Sequence, residues 1–188
     1  MKKIFLLITL LIITASTIII SGCGNQNGNN TASKNNDPYE GSYYARIEQA
    51  SGSNPTLQEI KITKENNKYK LEAKTWRHEN TKQNQKYAFV IKSETIFKDE
   101  ITPKDNKFQV NTQYSGTVTY QLNDTVLTGQ NIETPFNLTT GYKKDKNIAQ
   151  NFMNELKKDT ESRIKDPKEA DFIKNSTIDY SEFEASLK

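Results

Sequence analysis

Between Tyr39 and Tyr142, apolar residues fall at every second position in short runs, and the breaks between runs are rich in Asn, Asp and Lys. A period of two marks strands that bury one face. In 42–48, Tyr43, Ala45 and Ile47 share a face, while Tyr44 and Arg46 point the other way. Ile60 and Ile62 alternate with lysine and threonine, then Glu65-Asn66-Asn67 signals a turn. Tyr69, Leu71 and Ala73 then alternate with Lys70, Glu72 and Lys74, so 57–63 and 68–76 read as a hairpin with one buried face. Further runs follow at 87–91, 95–97, 108–110, 116–122 and 125–128, with Asn123-Asp124 as a compact turn between the last two. Near the C-terminus the period changes. Ile148, Ala149, Phe152, Met153 and Leu156 recur at helical spacing, a stripe expected to cover the β body. Lys165-Asp166-Pro167 stops that helix. Asp166 with Pro167 and Glu169 marks a fresh helix start, and a last short helix is expected around 180–187. The pattern predicts a mainly β fold: an antiparallel meander of about eight strands forming a small barrel or sandwich, with a C-terminal helical segment.

The first 23 residues follow a different logic. Met1-Lys2-Lys3 is basic, 4–20 carries no charge and no proline, and Ile20-Ser21-Gly22-Cys23 closes the run. A basic start, an apolar stretch and small residues before a cut describe a secretory signal peptide. The last four residues resemble the lipobox of bacterial lipoproteins. The resemblance implies that cleavage falls between Gly22 and Cys23. The Cys23 thiol would take a diacylglyceryl group through a thioether, and the new amine would take a further acyl chain such as palmitate. Cys23 is the one cysteine of the chain, so no intrachain disulfide competes for it. Acyl chains hold a protein stably at a membrane when more than one is attached. Residues 24–37 carry one alanine and no larger apolar side chain, which reads as a flexible spacer reaching roughly 20 Å. The expected organisation is a signal peptide (1–22), a lipidated cysteine and spacer (23–38), an antiparallel β domain (39–142) and a helical tail packed on it (143–188).

Gly41-Ser42-Tyr43 is similar to the Gly-x-Trp start of lipocalin-like barrels, and a strand meander followed by a helix matches that family's outline. This chain departs from the family at Tyr43, which replaces tryptophan. Lys143 and Lys144 also stand where an arginine would follow the last strand. The resemblance implies a small barrel that is either packed solid or holds one ligand. Tyr43, Ile47, Ile62, Leu71 and Phe89 are the expected lining of such a cavity.

Charge and composition then narrow the chemistry. The 188 residues carry a formal net charge of +3, and lysines far outnumber arginines, so nucleic acid is not an expected partner. One histidine and one cysteine supply no cluster for a metal or a triad. His78, in a polar stretch after a strand, reads as a solvated loop residue. Asp99-Glu100, Asp159 with Glu161, and Glu182 with Glu184 read as solvated surface rather than acid–base pairs. The sequence lacks a nucleophile elbow, a phosphate-cradling glycine loop and a calcium-loop spacing. No cofactor is expected, and no enzymatic activity. Tyr69 and Tyr87 are expected in the core; Tyr44 lies on the opposite face, able to line a surface.

The reading is a lipoprotein anchored outside the cytoplasm, at the cell membrane or the outer membrane. In a two-membrane cell, Gly24 in place of aspartate implies the outer one. Its β domain is expected to bind a small apolar or amphipathic ligand. The alternative is an interaction lipoprotein of the envelope: an assembly subunit, an inhibitor or an immunity factor.

Overall fold

A computed structural model describes residues 37–49, 54–83, 86–112, 116–131 and 139–188. The expected signal peptide (1–22), Cys23 and all but the end of the expected spacer (23–38) lie outside the described residues. Among the described residues, nine strands form one sheet: β1 (Gly41–Ile47), β2 (Thr56–Glu65), β3 (Lys68–Gln83), β4 (Lys86–Ile101), β5 (Lys107–Thr112), β6 (Gly116–Asn123), β7 (Val126–Asn131), β8 (Thr139–Lys143) and β9 (Thr177–Asp179). Their order is β5-β6-β7-β8-β1-β2-β3-β4-β9. All pairings are antiparallel except β4 with β9. The fold is mainly β, as the alternation predicts, and the sheet is not closed into a barrel. The two halves of the sheet join at β8 and β1 through the single register pair Tyr44↔Lys143.

Period two divides β1–β4 between two cores, while β5–β8 contribute to one. The inner core joins Tyr43 and Ala45 of β1, Ile60 and Ile62 of β2, and Leu71 and Ala73 of β3 to Phe108, Val110, Tyr120, Leu122, Leu127 and Tyr142 of β5–β8. The halves β1–β4 and β5–β8 therefore pack face to face. The Tyr142 hydroxyl donates to Gln58 Oε1 at 2.7 Å, tying β8 to β2. The outer core lies on the other face of β1–β4, where Tyr44, Leu57, Trp76, Phe89 and Ile91 meet the helices. Helix α1 (Lys146–Lys165) contributes Ala149, Phe152, Met153 and Leu156, the stripe read from the sequence. Helix α2 (Asp171–Lys174) adds Ile173, and α3 (Ser181–Ser186) adds Phe183, whose ring meets Trp76 edge-on at 4.9 Å.

The turns explain the register. Asn66 and Asn67 both have positive φ (51° and 63°), as a two-residue hairpin turn demands, and they close β2 onto β3 with Glu65 opposite Lys68. Asp105 and Asn106 adopt the same conformation between β4 and β5. The runs 87–91 and 95–97 are not separate strands but one 16-residue β4. Its register against β3 jumps from Ala73↔Phe97 to Lys74↔Thr95, which leaves Ile96 as an extra residue. Such a bulge reverses which residues face inward. Phe89 and Ile91 before it face the helices; Phe97 and Ile101 after it face the inner core.

The tail differs from its expected form in two places. Asp166 Oδ1 does accept from the Lys168 amide at 2.8 Å, but the chain turns there and the next helix starts at Asp171. Residues 177–179 form an edge strand, so the tail is part of the sheet as well as its cover. The described residues fall in one compact unit.

Candidate functional site

The two ends of the sheet differ. At one end lie the tight turns after β2, β4 and β6, together with Asp37, the first described residue. The Asp37 carboxylate accepts from Lys64 Nζ and the Tyr69 hydroxyl, each at 2.8 Å, and from the Tyr39 amide at 3.1 Å. Burial opposes its charge, yet these three donors together hold its carboxyl below the ordinary aspartate range. Tyr39 and Pro38 in turn accept from the Tyr43 hydroxyl through their carbonyls, at 2.9 and 3.0 Å. Burial first, then the Asp37 charge, pushes Tyr43 up to about 12. The chain that leads from Cys23 therefore joins the domain at a pinned point on this end. Lys144 Nζ lies 5.7 Å from the Tyr43 ring centroid.

At the other end, β3 outruns β2. The last β2–β3 pair is Leu57↔Trp76, and from Arg77 onward β3 pairs only with β4 among the described residues. An open polar pocket of about 550 Å³ lies there, lined by Gln49, Asn54, Pro55, Thr56, Gln58, Thr75, Arg77, His78 and Glu79. Three consecutive β3 residues border it, which places it across the strand's edge rather than on one face.

His78 anchors this region. It is a β3 residue, half-buried, and not the solvated loop histidine expected from its polar neighbours. Its ring stacks on Phe89 with centroids 5.4 Å apart. Nε2 lies 2.9 Å from the Tyr180 hydroxyl and 3.2 Å from Thr160 Oγ1, which are themselves 3.0 Å apart. Nδ1 faces the Asn54 amide nitrogen at 3.4 Å. With that donor on Nδ1, the neutral ring carries its proton on Nε2. Burial lowers the His78 pKa below its ordinary value; Asp159 pulls upward and Arg163 adds to the lowering. Thr160 is fully buried, and Tyr180 is 4% exposed. The triangle thus joins β3, α1 and the segment before α3.

A second buried polar group lies beneath the helices. Glu59 is 6% exposed and accepts from Trp76 Nε1 at 3.0 Å. The Tyr44 hydroxyl also bonds to Glu59, and burial foremost raises the Tyr44 pKa. Tyr44 is 2% exposed, so it lies in the outer core and lines no surface.

The expected cavity set is split. Tyr43, Ile62 and Leu71 are buried in the inner core and Ile47 packs against it, but Phe89 sits on the opposite face because of the β4 bulge. Tyr69 packs on the inner core, while Tyr87 is outside both cores and meets Phe172 at a tilt, with ring centroids 5.1 Å apart. Asp99 and Glu100 border an open groove of about 580 Å³ on the outer sheet face, together with Lys61, Lys70, Glu72 and Lys98. Across the strands there, Lys61 is opposite Glu72 and Glu72 is opposite Lys98, a row of alternating charge. Such cross-strand pairs stabilise a solvated sheet face. Glu182 accepts from Ser93 Oγ at 3.3 Å, and Asp159 borders a 240 Å³ pocket with Arg46 and Glu155, which are ion-paired. Among the described residues, no three His, Cys, Asp or Glu side chains gather as a metal site would require. No protein-family model, curated protein or solved structure matches the chain.

Proposed function

We propose that the chain is a lipid-anchored bacterial lipoprotein whose β domain is a non-enzymatic binding module acting through its surface, outside the cytoplasm. The anchor rests on the Ile20-Ser21-Gly22-Cys23 lipobox. The observation that carries the binding reading is the opposition of the two ends. Asp37, where the tether enters, is pinned at one end, and the polar pocket around His78 opens at the other. A spacer reaching roughly 20 Å from the lipid then presents that pocket away from the bilayer.

The inner faces favour this reading over an apolar ligand held inside. Tyr43, Ile60, Ile62, Leu71, Val110 and Leu127 are each at most 1% exposed and belong to one interlocked cluster. The Tyr142–Gln58 hydrogen bond also crosses from β8 to β2. A partner held at the envelope, the interaction alternative, therefore meets the outer surface.

Cys23→Ala tests the anchor. The variant should leave the membrane fraction and keep a folded domain. Continued co-sedimentation with membranes after a salt wash would show that the lipid is not what holds it.

A further inference from the structure

The pocket at the tether-distal end carries unusually well-placed polar groups. Three side-chain amides border it, and each has one half committed within the protein. Gln49 Nε2 donates to Thr56 Oγ1 at 3.1 Å, the Asn54 amide nitrogen faces His78 Nδ1, and Gln58 Oε1 accepts from Tyr142. The other halves, Gln49 Oε1, Asn54 Oδ1 and Gln58 Nε2, have no partner among the described residues. The committed halves fix orientation, so the free halves are held in place before any ligand arrives. The Asn54 contact is itself braced, because His78 is held by Tyr180 and Thr160. Thr75, 6% exposed, and Arg77, paired with Glu94 at 3.3 Å, complete the wall with Glu79.

Two features define what such a surface can hold. The free groups are acceptors and donors in mixture, two amide oxygens and an amide nitrogen, and the Arg77 guanidinium keeps further N–H donors beyond its pair with Glu94. A ligand whose every polar group both donates and accepts satisfies them in many registers; sugar hydroxyls do this. Pro55 is the one apolar residue in the lining, so the pocket offers no seat for the apolar side chains that anchor bound peptides. The one cation of the wall, Arg77, is already matched by Glu94, and Glu79 adds an anion, so nothing there attracts an anionic ligand.

We infer that this pocket binds a neutral oligosaccharide, through the free halves of Gln49, Asn54 and Gln58 and through Arg77. The inference rests on the reading of the chain as an anchored binding module and names the ligand class of its distal pocket. It assigns the sugar to the slot between β3 and residues 54–56, and not to the interior between the sheet halves.

The test is calorimetric titration of the full chain in detergent micelles with chitotetraose, maltotetraose and cellotetraose separately, each to its solubility limit. At least one sugar should bind saturably. Gln49→Ala with Asn54→Ala, both at exposed positions, should weaken that binding about tenfold, as expected for lost hydrogen bonds. Lys61→Ala with Lys98→Ala, in the charged groove on the outer face, should leave it unchanged. Matching thermal melts across the variants show that the fold is intact. Absence of binding by all three sugars overturns the inference. Undiminished binding by the Gln49/Asn54 variant, or saturable binding of a neutral polar hexapeptide (Gly-Ser-Asn-Gly-Ser-Asn) in place of any sugar, overturns it too. Membrane fractionation of the same preparation reads the anchor separately, so a failure of the sugar assignment is not mistaken for a failure of the anchor.

Discussion

Gly129 and Tyr120 are opposite one another on β7 and β6, and their packing yields a quantitative prediction. A Cβ at position 129 would lie 2.7 Å from Tyr120 Cε1 and 3.2 Å from Cδ1. The ring cannot easily withdraw, since it is 4% exposed, stacks on Phe108 at 5.3 Å and sits 6.3 Å from Tyr142. Gly129→Ala should therefore cost about 1–3 kcal/mol, as overpacking of a filled core does. Tyr120→Val removes every atom the new methyl would strike, and costs roughly 2–4 kcal/mol by itself. In that background Gly129→Ala meets no ring and removes unfolded-chain freedom, so it should be neutral or stabilising by about 0.5 kcal/mol. The double-mutant cycle thus predicts a coupling of about 1–3 kcal/mol. Urea unfolding followed by the fluorescence of Trp76, the one tryptophan and 3% exposed, reads all four proteins. Additive costs, with Gly129→Ala equally damaging in both backgrounds, would refute the packing argument.

Other consequences follow from the outer core and the bridges. Phe183→Ala empties a fully buried site against Trp76 and Phe152 and should cost about 3–5 kcal/mol in the same assay, with a shift in Trp76 emission; an unchanged melt would mean that α3 is not docked. Tyr142→Phe removes the hydroxyl that bridges to Gln58 and should cost about 0.5–1.5 kcal/mol, while Tyr87→Phe, at the rim, should cost nothing measurable. His78 has a folded pKa below its unfolded value near 6.5, so the unfolded chain takes up the proton first. Stability should be full above pH 6.5, decline as the pH falls from there to the folded pKa, and lose that dependence in His78→Gln. A stability that rises on acidification through this window would reverse the assignment of a buried neutral ring.

Much of this architecture was legible because local rules and the fold agree. The 57–63 and 68–76 hairpin showed clean alternation and an Asn-Asn turn, and the register pairs Glu65 with Lys68 as that turn requires. The helical stripe at 148–156 was legible because a single face is buried. β4 was not legible as one strand. Ala88 to Ile91 are all buried, so that run shows no alternation, and the bulge at Ile96 shifts the parity after it. With parity lost across the bulge, Phe89 was grouped with Tyr43 and Leu71, although it faces the helices. The environment of His78 was hidden for another reason. Its partners Thr160 and Tyr180 lie 82 and 102 residues away, and its neighbours Arg77, Glu79 and Asn80 read as a loop. Nothing local distinguishes a solvated histidine from one that the tail later covers.

The most direct test of the account is the mass of the N-terminal peptide from protein extracted from its host's membranes. The account predicts a chain that begins at Cys23 and carries a diacylglyceryl thioether on that residue. A peptide that retains Met1 to Gly22, or an unmodified Cys23 thiol in the membrane-bound protein, would contradict it.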